Sequence, residues 1–523
     1  MNTPYNKYVL HMLGEILTNL DRDPDSPTYG SFDRNFWHYK IRDFSSAILQ
    51  QSVLSLALAY SVDFKGNCYY KKDIIKQYAI AGIRYWAKIQ KRGGYFQEYW
   101  ACERSIPATA FSLYAVCEAC DVLKIDVKFL TGSIKKAVNF LLTNVEAEAL
   151  NQEIASAAAV MYSGRILNDG NMKNTARCKM DDVLKKQSPD GFFGEYGGAD
   201  VGYLTVSLDF LARYYECCKD EKILSVIDKV INFIKYFVHP DGSFGGEYCT
   251  RNTEYFLPYG FEYAKKVNDS APAIIERLMR YVNEKDFLNA SIDERYVLHY
   301  TASSFLKAIK IYDSKANCAK LPCDTRFDKY FNDSMLYVKS TDNFYFLCSF
   351  MKAGVFKVMN KNNFRMYTDT GYRLYKKNRI YTAEWPHNNI FTIEGDEVTV
   401  NAFYCLRKFI TQTPLKQTLL KVLSFIFGRA VIHIAKKMLI YGNKKNRIDA
   451  TLMRQIRFTD ANIFVKDIIN VWHSGLFAGL TNGLSMRHTA SSKFFQINSL
   501  ENYLPDDKYK IDRHFEKERT LSF

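Results

Sequence analysis

The chain has 523 residues, 47% of them hydrophobic and 24% charged, which allows two or three domains with proper cores and excludes a disordered or fibrous protein. The net charge of +15 is concentrated in one amphipathic segment, and no nucleic-acid motif accompanies it, so nucleic acid is excluded as the partner. Twelve scattered cysteines form no disulfide framework and point to reduced thiols.

The amino terminus, Met1-Asn2-Thr3-Pro4-Tyr5-Asn6-Lys7, lacks the basic start and apolar run of a secretory signal. No stretch reaches the roughly 18 uninterrupted apolar residues of a membrane span. The expectation is a cytoplasmic protein, peripheral at most at the inner membrane face. From 45 to 310 apolar residues recur at spacings of three and four. They predict helices over 45–60, 72–90, 107–123, 134–143, 151–162, 180–186, 201–218, 222–237, 253–266, 271–283 and 295–312. Cys117-Glu118-Ala119-Cys120 falls inside one of these apolar runs with no second CxxC or His pair, so core packing is expected there rather than zinc. No motif calls for a metal or a cofactor.

Within this helical region one segment occurs three times: an aromatic glycine turn, then Glu-Tyr, then an amphipathic helix. The copies begin Gly94-Tyr95-Phe96-Gln97-Glu98-Tyr99, Gly191-Phe192-Phe193-Gly194-Glu195-Tyr196 and Gly242-Ser243-Phe244-Gly245-Gly246-Glu247-Tyr248. The glutamates lie 97 and 52 residues apart, so a unit of about 50 residues recurs, with a degenerate copy between the first two. That length fits one helical hairpin. Hairpins that each expose an apolar face must stack, and a stack that closes on itself is a toroid with a central cavity. The expected architecture is therefore an (α/α) toroid over residues 1–320, with the three glycine turns on one rim.

Near residue 335 the periodicity changes to short or alternating apolar runs between turn residues. Leu336-Tyr337-Val338, Phe344 to Leu347, Gly354 to Val358, Tyr372 to Tyr381, Ile390 to Ile393, Val398 to Val400, Leu452 to Phe458 and Ile463 to Val471 read as strands. They predict an antiparallel β-sheet or sandwich over 325–523, interrupted by a helical insertion at 411–445. Residues 401–450 hold ten Lys or Arg (407, 408, 416, 421, 429, 436, 437, 444, 445 and 447) against the single acid Asp449. A basic amphipathic helix of that kind can lie on an anionic membrane surface; the bland reading is a helix packed on the sheet with its lysines in water.

A helical toroid followed by an antiparallel β domain resembles the heparinase II/III-like and alginate-lyase-like polysaccharide lyases. Asp190-Gly191-Phe192-Phe193-Gly194-Glu195 and Asp241-Gly242-Ser243-Phe244-Gly245-Gly246-Glu247 look like the Asp-Gly turn that precedes an inner helix in those toroids. Tyr29-Gly30-Ser31-Phe32-Asp33-Arg34-Asn35-Phe36-Trp37 looks like the start of toroid proteins found beside glycan-assembly enzymes. The resemblance implies an anionic, uronate-containing polysaccharide or its lipid-linked precursor as partner, and a lyase-like reaction in surface-glycan metabolism or assembly. In that family an Asn or Arg, a His and a Tyr cooperate. Here Gly197-Gly198-Ala199-Asp200-Val201-Gly202-Tyr203 follows the second turn without a His, so the catalytic set does not carry over residue by residue.

β-Elimination needs a group that neutralises the carboxylate, a base for the acidified proton and an acid for the leaving oxygen. Arg251 and Asn252 are candidates to neutralise, Tyr255 and its counterpart Tyr203 to move protons, and His299 to face the same cavity. Each has a structural alternative: an ion pair for Arg251, a helix cap for Asn252, packing for the tyrosines, a core position for His299. Glu103 and Asp200 recur five residues past Glu98 and Glu195 and are candidate substrate-binding groups, with Trp100 and Arg104 beside Glu103. Because the repeated Glu98, Glu195 and Glu247 occur in every copy, a structural role is expected for them. A glycoside hydrolase using paired carboxylates, an isoprenoid-cyclase-like enzyme and a non-catalytic glycan-binding protein are the alternatives on the same toroid. Against the cyclase, the chain has neither an Asp-x-Asp-Asp nor an Asp-Asp-x-x-Asp motif.

Overall fold

The computed structural model describes residues 1–285, 295, 297–314, 319–383, 389–407, 411–436, 447–472, 475–480 and 508–523. The helical part comprises α1 (Asn6–Asn19), α2 (Ser52–Ser61), α3 (Asp73–Ile89), α4 (Ile106–Leu123), α5 (Thr131–Thr143), α6 (Leu150–Ile166), α7 (Gly170–Leu184), α8 (Val201–Cys218), α9 (Lys222–Ile234), α10 (Pro258–Ala264), α11 (Ser270–Lys285) and α12 (Ala302–Ile311). Among the described residues, α2, α4, α6, α8, α10 and α12 pack each on the next, and α12 packs back on α2. The ring closes. These inner helices are buried on nearly every side, and α4 and α6 are built from Ala, Ser, Cys and short apolar residues that allow close approach around an axis.

The outer layer is α3, α5, α7, α9 and α11, and its sixth member is α1, which no sequence pattern had singled out. It packs on α12, where the buried Tyr5 ring just ahead of it meets Phe305 edge-on at 5.6 Å, and it is tied to α11 by the buried Tyr8, whose hydroxyl donates to Val282 O at 3.0 Å. The amino-terminal helix therefore completes the hairpin begun by the last inner helix.

Two predicted helices change extent for local reasons. The helix expected from 180 begins at Gly170, because Asp169 caps it by accepting the Met172 N–H at 2.9 Å. The helix expected over 253–266 shortens to Pro258–Ala264. Pro258 forces the preceding residue into extended conformation, and Leu257 adopts φ −110°, ψ 117°. Tyr255 thus lies ahead of the helix and not within it.

Four positive-φ glycines, Gly30, Gly94, Gly191 and Gly242, start equivalent turns. A Cβ there would lie 2.4 Å from Ala81 O, 2.1 Å from Lys136 O, 2.4 Å from Lys229 O and 2.5 Å from Arg277 O respectively. Each turn is thus pressed against the backbone of an outer helix, and the segment at Gly30 belongs to the same repeat.

The β domain has β1 (Phe327–Phe331), β2 (Leu336–Ser340), β3 (Phe344–Ser349), β4 (Val355–Asn360), β5 (Met366–Asp369), β6 (Tyr372–Lys376), β7 (Arg379–Thr382), β8 (Ile390–Glu394), β9 (Glu397–Arg407), β10 (Arg447–Phe458), β11 (Asn462–Val471), β12 (Leu476–Leu480), β13 (Lys508–Ile511) and β14 (His514–Ser522). Every strand pairing among the described residues is antiparallel. Strands β1 to β5 form one sheet in sequence order; the other runs β13-β12-β6-β7-β9-β10-β11-β14, with β8 beside β9. The segment 372–381, expected as one strand, is the β6–β7 hairpin.

Phe344, Phe346, Phe356 and Val358 pack on Val400, Ile456, Phe458 and Val465 between the sheets, while Val338, Tyr345 and Leu347 join the toroid core. Inside the sandwich Arg454 is wholly buried. It donates to Asp467 at 2.6 and 3.0 Å and pairs with Asp369 at 3.1 Å, and Arg519 pairs with both aspartates. The carboxylates are satisfied from two sides, as burial of charge requires.

Between β9 and β10 lie α13 (Pro414–Phe427) and α14 (Arg429–Lys436), separated by Gly428 at φ 56°. Lys437, Lys444 and Lys445 of the basic segment lie outside the described residues. Among the described residues the side-chain bonds of the insertion go to the toroid rim, through Trp100, Asp43 and Asn144, where packing on the sheet was the alternative.

Candidate functional site

The three glycine turns run into the amino-terminal ends of α4, α8 and α10, so they share one rim of the toroid. Neighbouring turns are hydrogen-bonded: Thr250 Oγ1 donates to Glu195 O at 2.8 Å, and Arg251 N donates to Asp200 Oδ2 at 2.8 Å. The repeated glutamates are buried and held. Glu98 accepts from Ser105 Oγ at 2.7 Å and pairs with Arg295 at 2.6 Å; Glu195 accepts from Asn151 Nδ2 at 2.7 Å; Glu247 pairs with Lys357 at 3.1 Å.

Above these glutamates the rim carries two arginines, each stacked on a tyrosine. The Arg251 guanidinium lies 4.7 Å from the Tyr196 ring centre, and that of Arg295 lies 4.6 Å from Tyr99. Both arginines are half-buried and Tyr99 is exposed. Tyr203, on the first turn of α8, and Tyr300, in a π-helical turn Val297–Thr301 that leads into α12, join the two. Tyr203 is an electrostatic neighbour of both Arg251 and Tyr300, and Tyr300 of Arg295. Burial lowers the affinity of Arg251 for its proton, but Tyr203, Tyr196, Glu195 and Asp200 outweigh it and raise its pKa. Burial, reinforced by Tyr203, Glu98 and Tyr99, raises the Tyr300 pKa well above the ordinary phenol value, with Arg295 opposing. Tyr300 is therefore a neutral phenol at neutral pH.

The backbone of the rim turns is strained at three non-glycine positions, Cys102 (φ 65°), Tyr196 (φ 53°) and Asn252 (φ 55°). Asn252 is buried. Its Oδ1 accepts from Lys352 Nζ at 2.8 Å, and the same ammonium donates to Glu247 O at 2.8 Å and Cys249 O at 2.5 Å. The β3–β4 hairpin thus reaches into the third turn and fixes it.

The sequence-derived candidates separate by position. Arg251 and Tyr203 come together at the open surface of the rim. Tyr255 is buried behind Tyr203, with its ring 6.0 Å edge-on from Tyr203 and stacked at 6.4 Å on Tyr300. His299 belongs to the π-helical turn, but its side chain lies outside the described residues. Glu103 accepts the backbone N–H of Glu98 at 3.1 Å and of Tyr99 at 2.6 Å, and Asp200 caps α8 at Tyr203 N while also accepting Arg251 N. Both carboxyls shape turns. Burial and the nearby Glu98 push the Glu103 carboxyl up to about 8, against the lowering effect of those N–H groups. Trp100 donates its indole N–H to Ser424 Oγ on α13 at 2.9 Å, and Arg104 lies over Tyr95 and against Gly428. These two residues seat the insertion on the rim.

Tyr99, Tyr196, Arg295 and Tyr300 were not among the candidates. Tyr99 and Tyr196 carried a signal, being the Tyr of the repeated Glu-Tyr. The third copy departs from it, since Tyr248 is buried against His239, whose Nε2 lies 3.1 Å from its hydroxyl. Burial, with help from Lys357, lowers the His239 pKa well below the ordinary value. Cys117 and Cys120 are buried within α4, and among the described residues no group of three His, Cys, Asp or Glu is placed to hold a metal ion.

Residues 68–262, which span all three glycine turns, match the model of the ulvan lyase N-terminal domain. The fold is similar to chondroitin AC lyase of Streptomyces coelicolor A3 solved with chondroitin sulphate, with TM-score 0.50 and 10% identity over 91% of this chain and 71% of that one. Heparinase III aligns with TM-score 0.45 and 10% identity over 92% of this chain and 78% of that one. A heparan sulfate lyase mutant from Pedobacter heparinus aligns with TM-score 0.44 and 12% identity over 91% and 71%. No curated protein matches the chain in sequence. Over residues 68–262 the chain thus resembles the N-terminal domain of ulvan lyase, and toroid and β domain together share the fold of a chondroitin AC lyase.

Proposed function

We propose that the rim binds an anionic, uronate-containing polysaccharide and breaks it by β-elimination. The observation that carries this reading is the pair of tyrosine-stacked arginines, Arg251 on Tyr196 and Arg295 on Tyr99, joined by Tyr203 and Tyr300. A planar guanidinium held against an aromatic face is preorganised for a carboxylate or sulfate, and exposed Tyr99 offers a ring face to a sugar.

In the proposed step Arg251 neutralises the uronate carboxylate and so acidifies the proton on the adjacent ring carbon. Tyr203, as its phenolate, takes that proton. The released electron pair forms the ring double bond, and the glycosidic C–O bond on the next carbon breaks. The leaving oxygen then takes the proton of a tyrosine hydroxyl, for which Tyr300, neutral at neutral pH, is suited. Hydrolysis by paired carboxylates is the weaker reading. Glu98, Glu103, Glu195, Asp200 and Glu247 are all buried, and each holds an ion pair or hydrogen bonds of the turns. A role in surface-glycan metabolism belongs to the same proposal.

Incubation with ulvan, chondroitin sulfate, heparan sulfate and alginate, following ultraviolet absorbance of the unsaturated product, tests this reading. Absorbance should rise on at least one polymer. Reducing ends released without absorbance would instead establish a hydrolase, and tight binding without cleavage a glycan-binding protein.

A further inference from the structure

The insertion is mounted with its polarity reversed. On α13 the face against the toroid is polar or small: Ser424 accepts from Trp100, Lys421 pairs with Asp43 at 2.6 Å, and Gly428 packs on Arg104. Arg429, at the start of α14, donates to Asn144 Oδ1 at 3.2 Å and Val145 O at 3.3 Å. Leu415, Leu419, Val422 and Ile426, spaced by four, three and four residues, form a stripe that faces solvent together with Phe425 and Phe427. Leu415 is 79% exposed and Phe425 74%, whereas Ser424 is 1% exposed. A helix that merely packed would turn this stripe inward.

We propose that the outward face of α13 docks on an anionic lipid bilayer. The occupant follows from charge. In sequence the stripe lies in a window, 401–450, with ten Lys or Arg against one acid; Lys421 and Arg429 are engaged by the toroid, and the remaining excess of cations in the window suits acidic headgroups beside an acyl boundary. A second copy of this chain would bring the same positive window against itself, and like charges oppose that contact. Because Trp100 and Arg104 belong to the turn that holds Tyr99, docking places the sugar-facing rim beside the membrane. A glycan linked to the lipid surface could then reach it. This inference concerns where the protein sits and does not depend on which bond it cleaves.

The test is co-sedimentation of the full chain with vesicles of phosphatidylcholine alone or mixed with phosphatidylglycerol. Binding is expected to the mixed vesicles and not to phosphatidylcholine alone, with release as salt shortens the Debye length. The triple variant L419Q/F425Q/I426Q should lower partitioning at least about tenfold. Its thermal melting should be unchanged, because these side chains are solvent-exposed. Absence of binding at low salt overturns the proposal, as does equal binding by the variant. A dimer that the variant converts to monomer, without vesicle binding by either protein, would assign the face to a second copy and also overturn it.

Discussion

Lys352 Nζ stands 2.8 Å from Asn252 Oδ1, in a buried contact that joins the β domain to the turn bearing Arg251. The same ammonium holds the Glu247 and Cys249 carbonyls, so the toroid alone does not set the shape of its third turn. Lys352→Met keeps the stem but leaves three acceptors without this donor. The expected cost is about 3 kcal/mol of stability, since charge-assisted hydrogen bonds are stronger than neutral ones and buried acceptors lose their partner. Urea unfolding measures it, and an unchanged midpoint would show that the contact does not support the turn.

Arg251→Ala and Tyr203→Phe address the proposed chemistry directly. Loss of proton transfer by Tyr203 should lower kcat by about 10²- to 10⁴-fold, and loss of the neutralising guanidinium by about 10²-fold or more. Folding should be little affected, because both side chains are only half-buried at the rim. Single-polymer kinetics beside circular dichroism check this; retention of full activity by Tyr203→Phe would remove Tyr203 from the mechanism.

The Glu103 carboxyl gives a pH signature. Its folded-state value of about 8 lies above the ordinary 4.5, so between these pH values the native state keeps a proton that the unfolded chain releases. Stability from this group is therefore present below pH 4.5 and falls as pH rises toward 8. Glu103→Gln is neutral throughout, and its carbonyl can still accept the turn N–H groups. Relative to wild type the variant should gain stability across that window, by up to about 1.4 kcal/mol per pH unit. Urea midpoints measured from pH 5 to about 8 check the slope, and parallel curves for the two proteins would refute the buried, protonated carboxyl.

Gly94→Ala tests the repeated turn. A methyl there would lie 2.1 Å from Lys136 O, and the residue has φ 82°. Strain and collision together should cost about 2 kcal/mol or more. By contrast, Gly132 has open space around its Cβ position, and Gly132→Ala within α5 should stabilise by up to about 1 kcal/mol. Thermal melting of the two variants should shift in opposite directions.

Much of the architecture was legible in the chain. The spacing of Glu98, Glu195 and Glu247, the glycines before them and the change from helical to alternating periodicity near residue 335 specify stacked hairpins and then strands. These patterns are local, because propensity, turn conformation and one-sided burial act within a few residues. α1 escaped notice because its place is defined by contacts such as Tyr8 with Val282, far away in sequence. The reach of Lys352 into the third turn is likewise a long-range contact that no spacing announces.

By itself the sequence determined that the turns recur, that each needs glycine at its head and that a basic apolar helix interrupts the sheet. Only the tertiary structure decided which polar residues face outward. Glu103 and Asp200 stand at matching places in the repeat, yet backbone N–H groups hold both carboxyls inside the turns, because a buried polar group must be hydrogen-bonded there. Arg251 and Arg295 come from distant segments and share one rim only because the ring of inner helices closes, α12 packing back on α2 and the turn before it setting Tyr300 against Phe111 of α4. The orientation of α13 was decided the same way. Its amphipathic pattern marks two faces, and the contacts of Trp100 and Asp43 with Ser424 and Lys421 determine that the apolar face is the one left in solvent.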